Sequence, residues 1–158
     1  MKQITNSIIV RLFFIPGAVL LGGLSCHQKF NSELPVIELS LNGRRIVAEV
    51  ANTIPTLSAG LMFRTEMGEN NGMLFVFKDS EKRAFWMKNT LIPLSIAFID
   101  AKGKIENIAE MPPKTERLFY SDGPARFALE MNAGWFGKNG LKSGDFVEGV
   151  LKAPAAKN

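Results

Sequence analysis

Five charged, polar or aromatic residues within otherwise apolar blocks are candidates for binding a ligand. They are Arg64, Trp86, Lys88, Asn89 and Glu130. A guanidinium binds a carboxylate or phosphate through its planar fork, and an indole offers a flat face to a sugar or an apolar group. The set predicts a binding module for a small polar or anionic ligand.

Each candidate also has a purely structural interpretation. Arg64 can serve only as the ion-pair partner of Glu130 or Glu69, because buried polar groups need partners whether or not they have a function. Asn89 can cap a turn, and Trp86 can belong to the core. Both interpretations stay open for each residue.

A second function class is hydrolysis of cell-envelope glycan by two carboxylates, such as Glu130 and Asp100. Such enzymes hold their carboxyl groups about 5–9.5 Å apart across a cleft. Asp100 can instead begin a hairpin turn, and no hydrolase motif is present. A third class is an envelope assembly or interaction protein, which an exposed apolar patch would support. We assign no catalytic residue and lean towards a protein that is not an enzyme.

Several other chemistries are excluded by what the chain lacks. Its one histidine, His27, and its one cysteine, Cys26, lie side by side near the N-terminus. A serine or cysteine nucleophile with a histidine base cannot then be assembled in the domain. Zinc ligation by histidine and cysteine is excluded for the same reason. No phosphate-binding glycine motif occurs, and no cofactor or metal is predicted.

Methionines form the remaining candidate metal site. Met62, Met67, Met73 and Met87 could converge on Cu(I), which thioethers suit. Their spacing lacks the tight repetition of copper-binding segments, and two of them lie in apolar strands. Packing in the core is the favoured interpretation.

The N-terminus has the features of an export signal. Residues 1–25 comprise a basic segment, an apolar run of eleven residues and small residues before Cys26, which is the order of a secretory signal. Cys26 resembles the lipidated cysteine of bacterial lipoproteins, although Gly23 stands where leucine is usual. The alternatives are an uncleaved anchor and a secreted protein with a spare thiol. We expect a membrane partner through a lipid anchor at Cys26 and location in the cell envelope.

The mature chain is expected to be a single domain. Residues 26–35 are predicted to form a polar tether, 36–152 the domain and 153–158 a disordered tail. Without Lys2 and Arg11, 17 cations stand against 15 acidic residues, a net charge of +2. These charges do not cluster, so no nucleic-acid partner is predicted, and the oligomeric state is left open.

Turn signals and alternation predict a mostly β fold. Asn42-Gly43 predicts a hairpin turn, and residues 53–60 a short helix. Further strands are predicted at 72–77, 83–89, 94–100, 104–111, 126–132 and 145–153, with a second short helix near 133–140. The fold class is a compact antiparallel barrel or sandwich of about seven to eight short strands with one or two short helices. In 83–89, alternation places Phe85, Met87 and Asn89 on one face, and Trp86 and Lys88 on a rim beside Arg64.

Several unusual blocks resemble one family in order. They are GLMFR (60–64), GMLFVF (72–77), FWMKNT (85–90), MPP (111–113), YSDGPARFALEMNAGW (120–135) and GLKSGDFV (140–147). This pattern resembles the bacterial and archaeal family called domain of unknown function 192, over residues 36–151. The resemblance implies a compact, mostly β domain, often exported, and no particular activity. After Ile-Pro-Leu the family typically has aspartate where this chain has Ser95, whose hydroxyl can partly replace a carboxylate that bonds backbone.

Overall fold

The computed structural model describes residues 34–157, and this part of the chain is mostly β. The strands are β1 (Val36–Leu41), β2 (Arg44–Ala51), β3 (Asn71–Glu81), β4 (Ala84–Phe85), β5 (Leu94–Ile99), β6 (Ile105–Met111), β7 (Phe119–Tyr120) and β8 (Ala125–Asn132). The helices are α1 (Ile54–Ala59), α2 (Trp135–Lys138) and a 3-10 helix at Val150–Lys152.

Local sequence accounts for the first elements. Asn42 and Gly43 have φ angles of 48° and 75°, the left-handed conformation that a tight hairpin needs and that these two residue types tolerate. At the start of α1, the Thr53 side chain accepts from the amide of Thr56, and the Thr56 side chain accepts from the amide of Thr53. This capping box satisfies two amides that a helix start leaves unpaired.

The main sheet has six strands in the order β1-β2-β3-β8-β5-β6. Neighbouring strands are antiparallel except β2 and β3, which run parallel and are connected through α1. Strands β4 and β7 form a separate antiparallel pair. The predicted fold class is confirmed as a compact, sandwich-like β domain, and the sheet is open rather than closed into a barrel.

Both faces of the main sheet are covered. On the face that we call the α2 face, Leu74 and Leu129 pack with Trp135 and Phe136 of α2. On the opposite face, called the α1 face, Met73, Phe75 and Ala128 pack with Leu57 of α1. The central strands therefore bury both faces and have apolar side chains at nearly every position.

Two predicted strands are wrong. Of residues 83–89 only Ala84–Phe85 is a strand, because the chain turns at Asn89, whose φ is 59°. Of residues 145–153, only Phe146 and Glu148 make isolated bridges, to Lys104 and Ser40. Gly149, with φ 88°, then ends the extended conformation and starts the 3-10 helix. Strand β7 lies in a region expected to be loop.

The ends of the described chain contact the domain. Pro35, at the end of the expected tether, accepts a hydrogen bond from the amide of Val50 at 2.7 Å. In the expected tail, Ala155 accepts from the Asn52 side chain at 2.9 Å and Lys157 donates to the Asn52 carbonyl at 2.7 Å. The export signal, Cys26 and residues 27–33 lie outside the described residues. No helix in the described part is both long enough and apolar enough to cross a bilayer.

Candidate functional site

A cavity of about 420 Å³ opens on the α1 face. Its walls come from the C-terminal end of α1 and the turn after it, from β3, from residues 82–86 and from β8. Aromatic and aliphatic side chains dominate the lining, namely Leu57, Leu61, Phe75, Phe77, Phe85 and Trp86. Most small-molecule sites share these properties, a concave apolar surface with a few polar groups.

Glu130 is the buried polar residue of this cavity. It lies on β8 between Met73 of β3 and Ile96 of β5, and only 4% of its surface is exposed. Among the described residues, no group hydrogen-bonds or ion-pairs with its carboxyl, and since no enclosed side-chain oxygen there lacks a partner, the Glu130 oxygens reach the cavity space. Because burial disfavours the charged form, the pKa of Glu130 is raised from 4.5 to about 8.

Four aromatic rings form one wall beside this carboxyl. Phe85 makes edge-to-face contacts with Phe75, Phe77 and Phe98, at centroid distances of 4.9, 6.3 and 5.7 Å. Such contacts fix the rings beyond what burial alone achieves. Three of these rings line the cavity, so its apolar wall is preformed.

Two cations lie on the same cavity, Lys82 and Arg83. The Arg83 guanidinium lies 4.2 Å from the Phe77 ring centroid and donates to the carbonyl of Ala125 at 3.2 Å and to the Asp79 carboxylate. Arg83 therefore connects β3 to β8 and supports the wall. Lys82 is exposed and has no acidic partner among the described residues.

Of the five predicted site residues, the structure brings together two, Trp86 and Glu130, which both line the cavity. Trp86 is 45% exposed. The ammonium of Lys88 lies 5.3 Å from the centroid of the indole ring and 3.9 Å from the Glu116 carboxylate. Lys88 is not among the cavity lining but packs on one of its walls.

Asn89 shapes the backbone next to the cavity. Its φ of 59° turns the chain, and its carbonyl accepts from the amide of Phe63 at 2.9 Å. Thr90 follows as a buried hydroxyl in the cavity lining. Met87 is fully buried, as the alternation predicted, whereas Asn89 is exposed rather than on the core side.

Arg64 lies outside this cavity, in a second concavity beside Glu49. Its guanidinium makes two hydrogen bonds with the Glu49 carboxylate, one of them at 2.6 Å. The expected partners were wrong, because Glu130 is unpaired and Glu69 accepts from Lys138 at 2.7 Å. The fork that could hold an anionic ligand is therefore already occupied.

Asp100 and Glu130 do not share the cavity. The Asp100 carboxylate accepts from the amides of Lys102 and Lys104 at 2.8 and 2.9 Å, which closes the hairpin between β5 and β6. Glu130 is opposite Ile96, four residues before Asp100. At about 3.3 Å per strand residue, the two positions are about 13 Å apart along the sheet.

Two motif glycines allow the close packing around Glu130. A Cβ on Gly72 would lie 2.5 Å from the Glu130 carbonyl and 2.5 Å from the Met131 sulfur, so β3 and β8 could not pair as they do. Gly60, with φ 47°, ends α1 where a Cβ would lie 3.3 Å from the Phe75 ring. Gly72 therefore needs the small size of glycine, and Gly60 needs its conformational freedom.

Ser95, where aspartate is usual, is fully buried. Its hydroxyl donates to the Glu110 carboxylate at 2.7 Å and accepts from the Gly134 amide at 2.8 Å. Glu110 itself accepts from the same amide at 3.0 Å. The carboxylate that this position lacks is thus supplied by the paired residue on β6.

Sequence reasoning missed Lys82 and Arg83, which line the cavity together with Thr90. The linear pattern of Lys82-Arg83 contains no signal that Arg83 is held against Phe77. In the described residues no group of three histidine, cysteine, aspartate or glutamate side chains could hold a metal. Met73 and Met87 are buried in the apolar core of the α1 face.

The fold and cavity define an open-sheet β domain with a buried carboxyl in an aromatic-walled cavity, and the sequence places it in a family. The chain belongs to the domain of unknown function 192 family, described as "Uncharacterized ACR", whose model matches residues 37–149. None of the curated proteins compared with the chain matches it.

Two solved structures are similar to this chain. One is a protein of unknown function from Novosphingobium aromaticivorans, at 37% identity and a TM-score of 0.70, covering 75% of this chain and 88% of that one. The other is a proposed transcription regulator from Sinorhizobium meliloti, at 33% identity and a TM-score of 0.65, covering 70% of this chain and 89% of that one.

Proposed function

We propose that this domain binds a small polar or anionic ligand in the cavity on the α1 face, with Glu130 as the central contact. The observation that carries the proposal is the unpartnered Glu130 carboxyl at 4% exposure in a preformed apolar cavity. A ligand in the cavity can hydrogen-bond this carboxyl, which contributes about 0.5–1.5 kcal/mol net.

The lining defines the remaining properties of the ligand. The rings of Phe75, Phe77 and Phe85 favour an apolar or aromatic body. Lys82 lies on the same cavity without an acidic partner in the described part of the chain, so an anionic group of the ligand fits beside it. The ligand is therefore amphipathic and has one polar group directed inward.

We also propose that the protein is exported and anchored in the cell envelope by lipid on Cys26. The support is the order of basic, apolar and small residues before this cysteine. Intact mass spectrometry of the full-length gene product from a bacterial membrane fraction tests this. A processed chain with a lipidated Cys26, lost in a Cys26→Ala variant, is expected; an unmodified Cys26 contradicts the anchor.

Ligand binding is tested by blocking the cavity mouth. Ser58 is an exposed α1 residue that lines the cavity, so Ser58→Trp should fill the opening without disturbing the core. Ala101→Trp, at an exposed position in the far β5–β6 hairpin, is the matched control. Full-length proteins are purified without denaturation, and released small molecules are identified by mass spectrometry.

A compound retained by the wild type and by Ala101→Trp, and absent from Ser58→Trp, is the expected result. Two findings together would contradict the ligand-binding proposal. The first is that no compound copurifies with the wild type. The second is that millimolar aromatic carboxylates, amides and amines leave its unfolding midpoint unchanged.

The hydrolase alternative has less support. One desolvated carboxyl is present in the cavity, but Asp100 lies elsewhere, and no second acidic residue is among the cavity lining. A role in transcription regulation, which the description of the Sinorhizobium relative gives for that protein, has no specific support here. Of the six arginines in the described chain, Arg45, Arg64 and Arg83 are paired with an acidic side chain.

An interaction surface is the second candidate function, and Phe63 favours it. This residue is 70% exposed and has φ 64°, a conformation that costs energy for a bulky side chain. A photo-crosslinking residue at position 63 in cells tests the idea. A discrete protein adduct supports an interaction surface, and recovery of only the uncrosslinked chain counts against it.

A further inference from the structure

The cavity has two unlike polar ends, and this difference identifies the class of ligand that the proposed function requires. Glu130 is at the buried end and Lys82 at the exposed end. Arg83 is the other charged residue of the lining, and its guanidinium is bound by Asp79 and the Ala125 carbonyl. Within the described lining, Lys82 is thus the cation left for a ligand.

The surroundings of the Glu130 carboxyl are uncharged on every side. Met73 and Ile96 flank it from β3 and β5, and Thr90, which also lines the cavity, carries an uncharged hydroxyl. The residues of α1 and its following turn that line the cavity carry no charge. Neither Lys82 nor Arg83 contributes to the raised pKa of this carboxyl, because burial is its one cause.

A protonated carboxyl offers a donor and an acceptor side by side. A secondary amide is trans, so its C=O and N–H point in opposite directions and one of them bonds the carboxyl; the C=O accepts from the carboxyl O–H. An ammonium has no acceptor for this O–H, and a carboxylate accepts from it but brings a charge. Burial of a charged group at this apolar end would also cost more than burial of an amide.

We propose that the ligand is an acylated amino acid or a short peptide, bound with an uncharged amide against Glu130 and its terminal carboxylate beside Lys82. Its apolar side chain packs on the rings of Phe75, Phe77 and Phe85. Since burial raises the pKa of Glu130 to about 8, this carboxyl is mostly protonated at neutral pH and can donate to the amide carbonyl.

Calorimetric titration of the full-length protein with N-acetyl-L-phenylalanine tests this assignment. The comparison probes are 3-phenylpropionate, which lacks the amide, and phenethylamine, which replaces it with a cation. We expect N-acetyl-L-phenylalanine to bind about three- to tenfold more tightly than either probe, since about one net hydrogen bond is gained. The affinity should fall about tenfold between about pH 6.5 and about pH 9, because only protonated Glu130 donates.

Variants separate the two ends of the cavity. Glu130→Gln keeps a donor and an acceptor, so it should bind the probe with no pH dependence, whereas Glu130→Leu should lose binding. Lys82→Ala should weaken N-acetyl-L-phenylalanine and leave its carboxamide analogue unchanged. Lys102→Ala, in the exposed β5–β6 turn, is the matched control and should change neither.

The opposite pH dependence would overturn the inference. If phenethylamine binds best, gains affinity as pH rises and loses it in Glu130→Gln, the cavity takes cations, and the proposed binding function stands with a different ligand class. If no probe binds the wild type, the amide assignment is wrong. The Ser58→Trp copurification experiment then decides the binding function separately.

Discussion

The two faces of the central sheet bury polar groups in opposite ways. On the α2 side, buried Ser95 has a donor and an acceptor partner in Gly134 and Glu110. On the α1 side, buried Glu130 has no described partner and opens onto a cavity. Folded proteins pair nearly all their buried polar groups, so this exception supports the proposed binding site on the α1 face.

The largest expected contrast comes from removing one aromatic ring on each face. Phe136 is fully buried on the α2 face and contacts Trp135, so Phe136→Ala should cost about 3–5 kcal/mol in free energy of unfolding. Phe85 is only partly buried and borders the cavity. Phe85→Ala should cost less by about 1–2 kcal/mol, because water can enter the space that it leaves. Urea unfolding of both variants measures the difference, and equal losses would contradict the contrast.

The second prediction concerns the pH dependence of stability. The pKa of Glu130 is raised from 4.5 to about 8 in the folded state. The folded state therefore holds a proton that the unfolded state has lost between these values. Stability should then fall as pH rises through this window, by up to about 1.4 kcal/mol per pH unit and about 5 kcal/mol in total.

Glu130→Gln is the matched variant for this effect. It keeps the shape of the side chain but cannot titrate, so the difference between the two unfolding curves isolates Glu130 from other groups. Denaturant unfolding from pH 5 to pH 8 measures it. A constant difference between wild type and variant would show that Glu130 is not desolvated.

The third prediction tests the partnered side. Ser95→Asp places a carboxylate against Glu110, and two like charges there should cost about 1–3 kcal/mol. Adding Glu110→Gln should restore most of the loss, because the glutamine amide can donate to the aspartate. A double-mutant cycle of unfolding free energies measures the coupling. No coupling between the two positions would contradict the carboxylate replacement.

The smallest effect is expected at Arg64. Its ion pair with Glu49 is partly exposed, at 36% and 32% of the two side chains, and such pairs contribute about 0.2–1 kcal/mol. Arg64→Ala should lower stability by at most about 1 kcal/mol and leave binding of N-acetyl-L-phenylalanine unchanged. Glu49→Gln is the control, because it removes the charge of the other partner in the same ion pair. Loss of N-acetyl-L-phenylalanine binding in Arg64→Ala but not in Glu49→Gln would show that Arg64 itself contributes to ligand binding.

The sequence predicts the fold well where local rules decide it. The Asn42-Gly43 turn and the capped helix α1 follow from turn chemistry and capping. The strand predicted over 83–89 fails because Asn89 takes a left-handed conformation. Nothing in a run of alternating residues indicates that a non-glycine residue will do so.

The candidate site is predicted less completely because it depends on contacts between distant segments. Trp86 and Glu130 are far apart in the chain and meet at the cavity. Arg64 forms an ion pair with Glu49 of β2, which lies fifteen residues earlier in the chain. A list of polar residues in apolar blocks cannot distinguish a partnered side chain from an unpartnered one.

The pKa of Glu130 is the quantity that tests the central claim most directly. The ¹³C signal of the Glu130 carboxyl can be followed by NMR in the full-length protein, and its absence from Glu130→Gln assigns it. We predict a titration midpoint at about pH 8, which rises further when N-acetyl-L-phenylalanine is added. A midpoint near the ordinary value of 4.5 would mean that Glu130 is solvated or partnered, and would contradict the proposed site.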